Sequence, residues 1–270
     1  MICSVLGCGW LGLPLAKFLV EKKCRVKGST TREEKLDYLE EQGIEPFQIK
    51  LYPHQVMGNI AEFADADVLV LNFPPGRYKY DISVSFPATV ARLLEAIKDK
   101  PPKHLMFVSS TSVYGDSPLP VTEDSPTFPS RQSGIALVEV EEMLKSSGIP
   151  MTILRMGGLV GYNRRPGRFL AGRKNLIHAN APVNLVHLDD CIHVIWEIIQ
   201  QDRWGEVFNV CADDHPKRKE FYTFAATKMG LPVPEFSLDQ TEGGKCVSNA
   251  KLKESLSFSF QYADPYQMVN

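Results

Sequence analysis

Residues Ile2 to Gly12 read Ile-Cys-Ser-Val-Leu-Gly-Cys-Gly-Trp-Leu-Gly, a short apolar run that leads directly into a Gly-x-Gly-x-x-Gly motif. In a dinucleotide-binding fold, Gly7 of such a motif makes the tight turn, Gly9 leaves room for a pyrophosphate, and Gly12 lets helix and strand pack closely. The helix that follows, predicted over Trp10–Val20, directs its free N–H groups at the phosphates. We therefore predict dinucleotide binding here, with a structural glycine turn as the alternative.

Strands and helices alternate along the chain after this motif. The predicted strands are Ile2–Leu6, Cys24–Gly28, Pro46–Ile49, Val68–Asn72, Leu105–Ser110, Met151–Arg155 and Val207–Val210. The predicted helices that follow the first are Arg32–Gln42, Ile82–Lys98, Gly134–Ser147, Cys191–Gln201 and Lys217–Met229. Several strands are continuous apolar runs, which are typical of parallel strands covered on both faces. The order predicts an α/β fold with a doubly wound parallel sheet, the Rossmann fold.

Two segments interrupt this alternation, the Arg-, Gly- and Asn-rich residues 162–184 and the C-terminal residues 213–270. Insertions of this kind commonly cover the carboxyl ends of the strands, where ligands bind in open α/β sheets. We therefore predict a Rossmann domain formed by residues 1–161 and 182–212. Residues 162–181 and 213–270 are predicted to form a small C-terminal substrate-binding lobe.

Composition excludes several classes of protein. The net charge is −2 in 270 residues, and no basic stripe is present, so a general nucleic-acid binder is not expected. No apolar run reaches the roughly 20 residues that span a bilayer, and the first residues lack the basic leader of a signal peptide. The six cysteines are scattered, and Cys191-Ile192-His193 has no second ligand pair, so reduced thiols and no metal site are expected. A cytoplasmic location and a small-molecule substrate are expected.

The end of the second strand bears on the choice of cofactor. NAD-binding folds usually place a carboxylate there, whereas this chain has Gly28-Ser29-Thr30-Thr31-Arg32. Hydroxyls and a guanidinium at this place favour the 2′-phosphate of NADP over NAD or no preference. The alternative makes Thr31 a helix N-cap and Arg32 a solvated side chain.

A stiff loop, Asn72-Phe73-Pro74-Pro75-Gly76, follows the fourth strand and is expected beside the adenosine ribose and pyrophosphate, or else to be a simple rigid turn. The predicted cofactor contacts are Gly7, Gly9, Trp10, Leu11, Gly12, Ser29, Thr30, Thr31, Arg32, Asn72, Phe73, Pro74, Pro75 and Ser109.

The fifth strand ends in a run of hydroxyl residues. Residues 107–115 read Phe-Val-Ser-Ser-Thr-Ser-Val-Tyr-Gly, and with residues 154–161, 184–190 and 205–210 they form an ordered set of motifs. In this set the chain resembles the extended, epimerase/dehydratase-like branch of the short-chain dehydrogenase/reductase superfamily. The resemblance spans nearly the whole chain and implies a nicotinamide dinucleotide cofactor.

The resemblance also implies a catalytic trio, of which this chain keeps one member. Family members use a Ser or Thr at the end of the fifth strand and a Tyr-x-x-x-Lys pair on the next helix. Ser110 matches the hydroxyl, but Ser133 and Leu137 stand at the tyrosine and lysine positions, and none of the nine tyrosines has a lysine four residues on. A serine is a far poorer proton donor than a phenol, and leucine carries no charge. The chain is therefore expected to be an atypical member.

Other side chains are candidates for chemistry at the same site. We predict Ser110 and Tyr114 as catalytic groups, with a purely structural role as the alternative for Tyr114. The predicted substrate-binding residues are Ser133, Tyr162, Arg168 and His187. His187 has a structural alternative, and Asp189 or Asp190 is expected to cap the following helix. The cluster Arg164, Arg165, Arg168 and Arg173 either binds an anionic substrate or is solvated.

Two functions remain open from the sequence. The first is an NAD(P)-dependent oxidoreductase or epimerase-like enzyme that acts on a small nucleotide-sugar or carbonyl substrate. The second is a catalytically silent NADP(H)-binding sensor or regulatory protein. The helices at 82–98 and 134–147 carry enough apolar residues for either a homodimer contact or additional core. The sequence therefore leaves two oligomeric states open, a monomer and a homodimer.

Overall fold

The computed structural model describes residues 1–75, 81–237 and 243–269, and Gly76 of the proline loop lies outside them. Its strands are β1 (Ile2–Leu6), β2 (Arg25–Thr30), β3 (Glu45–Gln48), β4 (Lys50–Leu51), β5 (Val56–Met57), β6 (Val68–Leu71), β7 (His104–Ser110), β8 (Met151–Met156), β9 (Gly158–Val160), β10 (Leu185–His187) and β11 (Val207–Val210). Its α-helices are α1 (Gly12–Glu21), α2 (Leu36–Glu41), α3 (Ile60–Ala64), α4 (Ile82–Ile97), α5 (Gln132–Lys145), α6 (Gly167–Leu170), α7 (Leu188–Gln200), α8 (Arg218–Lys228) and α9 (Ala250–Leu256). Turns of 3₁₀-helix cover Glu33–Lys35, Thr111–Val113 and Pro265–Met268.

Seven strands form one sheet in the order β11-β8-β7-β6-β1-β2-β3. The pairs β1/β2, β1/β6, β2/β3 and β6/β7 are parallel, with Cys3 opposite both Val26 and Val68. The order runs outward from β1 in both directions, as in a doubly wound sheet. All seven predicted strands belong to this sheet, and the predicted fold class is confirmed.

Burial explains why the first strand and helix form where they do. In β1 the four residues from Cys3 to Leu6 are all buried, so this strand is covered on both faces. In α1 the buried residues are Gly12, Leu15, Ala16 and Leu19, which share one face at helical spacing. This strand–helix pair carries the glycine loop between its two elements.

The sequence predicted the second helix over Arg32–Gln42, but in the structure α2 begins only at Leu36. Arg32 is extended (φ −107°, ψ 122°), and its N–H donates to Thr30 Oγ1 at 3.2 Å. This local turn delays the helix until after the 3₁₀ turn Glu33–Lys35. Thr31 therefore does not cap the helix, so that part of the alternative was wrong, whereas Arg32 is solvated, with 58% of its side chain exposed.

The chain divides into two compact units. The first comprises residues 1–113, 129–154 and 198–207, and the second comprises 114–128, 155–197 and 208–270. These bounds differ from the predicted domains, because residues 114–128, 155–161, 182–197 and 208–212 of the predicted Rossmann domain belong to the second unit. The assignment of a substrate-binding lobe stays a prediction.

The second unit has its own apolar core. This core consists of Val160, Val183, Leu185, Ala212, Phe221, Ala225, Met268 and Val269. The short parallel pair β9/β10 contributes to it, and α6 packs on α8 so closely that a Cβ on Gly167 lies 2.5 Å from the Ala225 carbonyl oxygen. Helices α6 and α9 have no counterpart in the sequence prediction, because four and seven residues are too short for a clear periodic signal.

The structure bears on three further expectations. All six cysteines are free, and four of them are buried. None of the helices in the described ranges has the length and apolar character needed to cross a bilayer. Within the same ranges, no group of three or more His, Cys, Asp or Glu residues is arranged to hold a metal ion.

Candidate functional site

The glycine loop is fastened to the strands on both sides of β1. Gly7 has φ +106°, and a Cβ there would lie 2.5 Å from the Asn72 carbonyl oxygen. Its N–H donates to Ser29 Oγ at 2.9 Å, and its carbonyl accepts from Asn72 Nδ2 at 3.1 Å. Cys8 N–H donates to the Ser29 carbonyl at 2.8 Å. The ends of β2 and β6 therefore hold the loop in one conformation.

The other two glycines of the motif differ sharply in their surroundings. A Cβ on Gly12 would lie 2.1 Å from the Gly7 carbonyl oxygen, so only glycine fits at the start of α1. A Cβ on Gly9 would meet nothing within 4 Å. Leu11 offers no side-chain cap to α1, and the first turn holds no acidic residue. The loop thus presents open space at the N-terminal end of a helix that has no side-chain cap at Leu11, the arrangement that suits an anion.

The side chain of Cys8, a residue of the glycine loop, is buried and has low reactivity. Its side chain is buried, and burial raises the pKa of its thiol to about 12. A Cβ on Gly28 would lie 2.8 Å from its sulfur, so Gly28 provides the space that the thiol occupies. The cysteine is a packing residue, since a protonated buried thiol is a poor nucleophile.

The predicted phosphate-binding residues at the end of β2 divide into two pairs. Ser29 and Thr30 are buried, and each hydroxyl oxygen accepts a backbone N–H, from Gly7 and Arg32 respectively. Thr31 and Arg32 are exposed, and Arg32 Nε lies 3.7 Å from a carboxylate oxygen of Glu34 with 58% of its side chain exposed. The first pair shapes the loop, and the second pair faces solvent.

The proline loop starts at the residue that holds Gly7. Asn72 and Phe73 are partly buried, and the Phe73 ring packs edge-on against Phe86 with centroids 5.5 Å apart. Pro74 is exposed and Pro75 is partly buried. Asn72 is therefore a positioning residue for the glycine loop, which the sequence did not indicate.

The serines at the end of β7 point to different partners. Ser109 Oγ donates to Glu141 Oε1 at 2.6 Å, and both residues are buried. The proton of the Ser109 hydroxyl is therefore already donated to Glu141 on α5. For this reason we no longer propose Ser109 as a cofactor ligand. Ser110 is partly exposed, and its Oγ accepts the N–H of Ser112 at 3.1 Å. It still has a hydroxyl proton to donate.

Helix α5 begins against the turn that follows β7. A Cβ on Gly134 would lie 2.5 Å from the Ser112 carbonyl oxygen, so the glycine permits this approach. Ser133 is partly exposed in the first turn of α5, beside the Thr111–Val113 turn. Leu137 is buried, with 5% of its surface exposed. The lysine position of the family is thus part of the apolar core.

Tyr114 lies in the second unit, in a buried polar network. It is 2% exposed, its hydroxyl donates to Asn209 Oδ1 at 2.8 Å, and it accepts from Arg155 Nη1 at 2.7 Å. Burial raises the pKa of this tyrosine, so it resists ionisation. Lys245 Nζ donates to its carbonyl oxygen at 2.7 Å. These contacts favour the structural alternative over proton exchange with a substrate.

His187 and Tyr162 meet at one place in the second unit. His187 is buried, and its ring lies 3.8 Å from the Tyr262 ring and 6.0 Å from the Tyr162 ring. Burial lowers the pKa of His187, although Asp189 opposes the shift. Tyr162 is 65% exposed, and its hydroxyl donates to Asp189 Oδ1 at 2.8 Å.

Asp190 is not the helix cap that the sequence predicted. Helix α7 begins at Leu188, directly after β10, so Asp189 and Asp190 lie inside its first turn. The buried Asp190 carboxylate accepts the N–H groups of Gln261 and Tyr262 at 2.8 and 3.1 Å. It therefore fastens the C-terminal segment, a contact across 71 residues that no local pattern reveals.

The basic cluster is spread over the loop around α6. Arg168 is exposed on α6, and Arg165 Nε donates to the Tyr162 carbonyl oxygen at 3.4 Å. Arg164 and Arg173 are exposed in the same segment. Both alternatives for this cluster, anion binding and a solvated face, agree with these positions.

Comparison with known proteins places these features in a family. The model of the NAD dependent epimerase/dehydratase family matches residues 5–211. Protein YeeZ of Escherichia coli K12 is 36% identical over 270 residues, which cover 98% of this chain and 97% of that protein.

Solved structures agree in fold at low sequence identity. A UDP-glucuronic acid 4-epimerase from Bacillus cereus in complex with NAD has a TM-score of 0.80 at 19% identity, covering 100% of this chain and 95% of that one. A short-chain dehydrogenase/reductase superfamily protein from Agrobacterium tumefaciens with bound NAD has a TM-score of 0.78 at 17% identity, covering 100% and 95%.

Proposed function

Because the chain belongs to the NAD-dependent epimerase/dehydratase family, we propose that it binds a nicotinamide dinucleotide at Gly7–Gly12 and uses it in an oxidoreductase or epimerase reaction. The observation that carries this proposal is the contrast between Gly12 and Gly9. Gly12 is demanded by the protein's own backbone, whereas Gly9 borders open space. A glycine that the fold does not need is explained by a ligand that does need it.

The first unit supplies the groups that hold the dinucleotide. Gly7, Gly9 and Gly12 would line the pyrophosphate site, with the backbone of Trp10 and Leu11 at the start of α1 as proposed donors. The loop from Asn72 to Pro75 would border the adenosine half. A nicotinamide dinucleotide supplies hydride transfer when bound, and the protein's part is to position it.

NADP is the cofactor that the end of β2 supports best. Thr31 and Arg32 are exposed there, and no carboxylate occurs between Ser29 and Arg32. A guanidinium and a hydroxyl suit a 2′-phosphate, whereas NAD binders usually carry an acidic residue at this place. The neighbouring structures with bound NAD keep NAD as the competing choice.

Ser110 is the hydroxyl that we propose for substrate polarisation. Its oxygen already accepts the Ser112 N–H, which orients the hydroxyl, and the residue is partly exposed. A hydrogen bond from Ser110 to a carbonyl oxygen stabilises the charge that develops on that oxygen. Ser133 is proposed as a neighbouring substrate contact. Tyr114 is not retained as a catalytic group, because its hydroxyl is buried and occupied.

The second unit is proposed to contribute substrate contacts. The exposed side chains of Tyr162 and Arg168 offer a phenol and a guanidinium, and the buried His187 supports the Tyr162 region. An arginine suits a phosphate or carboxylate. A nucleotide sugar carries both hydroxyls and phosphates, and UDP-sugar epimerases are among the structural neighbours. We therefore propose a nucleotide-sugar or a related carbonyl compound as substrate.

The experiment compares two alanine substitutions in the glycine loop, Gly9→Ala and Gly12→Ala. Gly9→Ala is expected to melt at the wild-type temperature, because its Cβ meets no protein atom, yet to lose NADP(H) binding in calorimetric titration. Gly12→Ala is expected to lose stability and binding together, because its Cβ meets a carbonyl at 2.1 Å. Unchanged NADP and NAD affinity in Gly9→Ala contradicts the proposed site.

A second observation favours a different function. The tyrosine and lysine positions of the family hold the partly exposed Ser133 and the buried Leu137, which suits a nucleotide-binding sensor without catalysis. The two functions separate in a turnover screen with UDP-glucose, UDP-glucuronic acid and simple carbonyl compounds, followed by nicotinamide absorbance and sugar chromatography. An enzyme converts a probe and loses activity in Ser110→Ala, whereas a sensor binds nucleotide without turnover.

The oligomeric state and location are also proposals. Helices α4 and α5 pack together, and Val84 and Ile135 on them are 65% and 40% exposed. These side chains suit a homodimer face, with a monomer as the alternative, and light scattering distinguishes the two. A cytoplasmic location is proposed from the free cysteines.

A further inference from the structure

The turn that follows β2 carries a second cation besides Arg32. Residues Glu33–Lys35 form this 3₁₀ turn, and Lys35 is its last residue. The Lys35 N–H donates to the Arg32 carbonyl oxygen at 3.2 Å, and the Arg32 N–H donates to Thr30 Oγ1 at 3.2 Å. The backbone that carries Lys35 is therefore fastened to the end of the same strand that holds the glycine loop.

Helical spacing places the Lys35 side chain on the face of α2 that packs against β2. Lys35 precedes Leu39 by four residues, and side chains at this spacing are neighbours on one face. Leu39 is buried, and its Cδ1 would lie 3.8 Å from a Cβ on Gly28. The same Cβ would lie 2.8 Å from the Cys8 sulfur. Leu39 thus packs on β2 near the Cys8 thiol, and Lys35 lies one turn along the same face.

The charge of Lys35 acts on the glycine loop. Burial raises the pKa of the Cys8 thiol to about 12, while a backbone hydrogen bond at Ser29 and the Lys35 ammonium oppose that shift. Charges interact appreciably only over a short separation, because water and salt screen longer ones. Cys8 stands between Gly7 and Gly9, so the ammonium lies beside the loop, on the side that faces β2.

The protein itself does not neutralise this ammonium. The Lys35 side chain is partly buried, and no carboxylate within residues 1–75, 81–237 and 243–269 forms an ion pair with it. By contrast, Arg32 has 58% of its side chain exposed and lies 3.7 Å from Glu34. A partly buried side chain loses less conformational freedom on binding an anion than an exposed one, so more of the interaction remains as affinity.

The position of this ammonium indicates which part of a dinucleotide it meets. In dinucleotide-binding folds the pyrophosphate lies at the glycine loop, and the adenosine ribose lies at the end of the second strand. Lys35 lies between these two places, since its backbone is bonded to Arg32 and its charge reaches Cys8. The group that a cation meets on the ribose side is the 2′-phosphate of NADP.

We propose that Lys35 binds the 2′-phosphate of NADP together with Arg32 and is a specificity-determining residue, an inference that rests on the proposed function. A phosphate monoester carries about −1.5 to −2 charges at pH 7, so one cation does not balance it. A lysine ammonium binds a phosphate oxygen as a point charge, and a guanidinium adds directional donors. NAD has only a hydroxyl at this place, so Lys35 favours NADP without strengthening the binding of NAD.

The first test removes the charge and keeps much of the side-chain length. In Lys35→Gln we expect the NADP affinity to fall about 10–100-fold in calorimetric titration, because a hydrogen bond to a charged group contributes a factor of this size. The NAD affinity is expected to stay within about twofold, since NAD lacks the 2′-phosphate. Lys35→Arg keeps the charge and is expected to retain the preference for NADP.

Lys23→Gln is the matched control for the change in charge. Lys23 is exposed just beyond the C-terminal end of α1, and the 10 residues of that helix, about 15 Å, separate it from the glycine loop. Both nucleotide affinities are expected to match the wild type in this variant. Without nucleotide, Lys35→Gln and Lys23→Gln are both expected to melt at the wild-type temperature, so that any loss of binding is local.

The second test isolates the phosphate from the rest of the cofactor. The probes 5′-AMP and 2′,5′-ADP differ only in the 2′-phosphate. Wild-type protein is expected to bind 2′,5′-ADP more tightly, and Lys35→Gln is expected to lose most of that difference. An ammonium that instead contacts the pyrophosphate side would weaken both probes equally in Lys35→Gln.

The outcomes distinguish this inference from the proposed function. Equal losses of NADP and NAD affinity in Lys35→Gln overturn the 2′-phosphate contact and leave the dinucleotide site standing. Unchanged NADP affinity in Lys35→Gln overturns any role of Lys35 in binding, and wild-type protein that binds NAD as tightly as NADP overturns its role in specificity. Wild-type protein that binds neither nucleotide overturns the proposed function, and this inference with it.

Discussion

Ser29 and Arg32 are three positions apart, and the structure gives them opposite tasks. The Ser29 hydroxyl is buried and accepts the Gly7 N–H, so it shapes the glycine loop. The Arg32 guanidinium is exposed, and its ion pair with Glu34 is loose, at 3.7 Å. Such an exposed pair contributes little to stability, so Arg32 is free to bind an anionic ligand at small cost.

Substitution of Arg32 tests the cofactor preference. In Arg32→Ala we expect the NADP affinity to fall about 10–100-fold, because a charged hydrogen bond contributes about 1.5–3 kcal/mol. NAD affinity is expected to stay within about twofold, since NAD has no 2′-phosphate to lose. Calorimetric titration with both nucleotides measures the two changes.

Arg92→Ala is the matched control for this prediction. Arg92 is an exposed arginine of the first unit on α4, away from the end of β2 in sequence. Its removal changes the net charge equally and is expected to leave both affinities unchanged. Equal losses of NADP and NAD affinity in Arg32→Ala would contradict a 2′-phosphate contact.

Helix α5 is positioned by contacts at two of its turns. Gly134 lets the first turn approach the Ser112 carbonyl, and Glu141, two turns later, accepts the buried Ser109 hydroxyl at 2.6 Å. Together they fix the helix against the end of β7, where Ser110 lies. The helix therefore serves the site by its position, although it carries neither the tyrosine nor the lysine of the family.

Gly134→Ala tests whether this close approach matters. Alanine favours a helix by up to about 1 kcal/mol, but the new Cβ lies 2.5 Å from a backbone carbonyl that does not move freely. Overpacking of this kind costs about 1–3 kcal/mol, so we expect a net loss of unfolding free energy. Urea unfolding of Gly134→Ala measures it, and a gain in stability would show that the contact yields easily.

The neighbouring residue provides the comparison. Ile135 is 40% exposed on the same turn, and Ile135→Ala is expected to change the unfolding free energy by less than about 1 kcal/mol. Turnover or ligand binding that depends on Ser110 is expected to weaken in Gly134→Ala and to persist in Ile135→Ala.

The second unit contains a buried imidazole, His187, and a partly buried one, His215, and this links its stability to pH. Burial lowers the pKa of both His187 and His215 from the ordinary value of 6.5. In the unfolded chain these groups bind protons near pH 6.5, whereas in the folded unit they resist protonation. Their contribution to stability is therefore complete above pH 6.5 and is lost as the pH falls below it.

His215→Gln isolates one of the two groups. We expect the wild type to lose unfolding free energy from pH 7 to pH 5, by at most about 1.4 kcal/mol per pH unit for each histidine. The variant is expected to lose less over the same range. Burial raises the pKa of Asp190 and Glu123, which act in the opposite direction, but they are present in both proteins and cancel in the difference. Parallel pH profiles for the two proteins would contradict the assignment.

Local patterns carry much of the fold. Apolar runs and glycine spacing predict all seven strands of the main sheet, because buried parallel strands and a tight phosphate-binding turn depend on neighbouring residues. The observed starts of α2 and α7 differ from the predicted starts, the first because of a contact between neighbouring residues and the second because of the fold around it. Thr30 accepts the Arg32 N–H and delays the first helix, whereas α7 starts directly after β10 and leaves Asp190 for a distant partner.

The roles of individual polar groups depended on contacts between distant segments. The motif at residues 107–115 indicated Ser109, Ser110 and Tyr114 alike. In the structure Glu141 accepts from the Ser109 hydroxyl, and Asn209 and Arg155 bond the Tyr114 hydroxyl. A hydroxyl can donate one proton only, so its partner in three dimensions decides what remains for a ligand. Residue types and spacing thus determined the sheet and the nucleotide loop, and long-range hydrogen bonding decided which side chains are left to do chemistry.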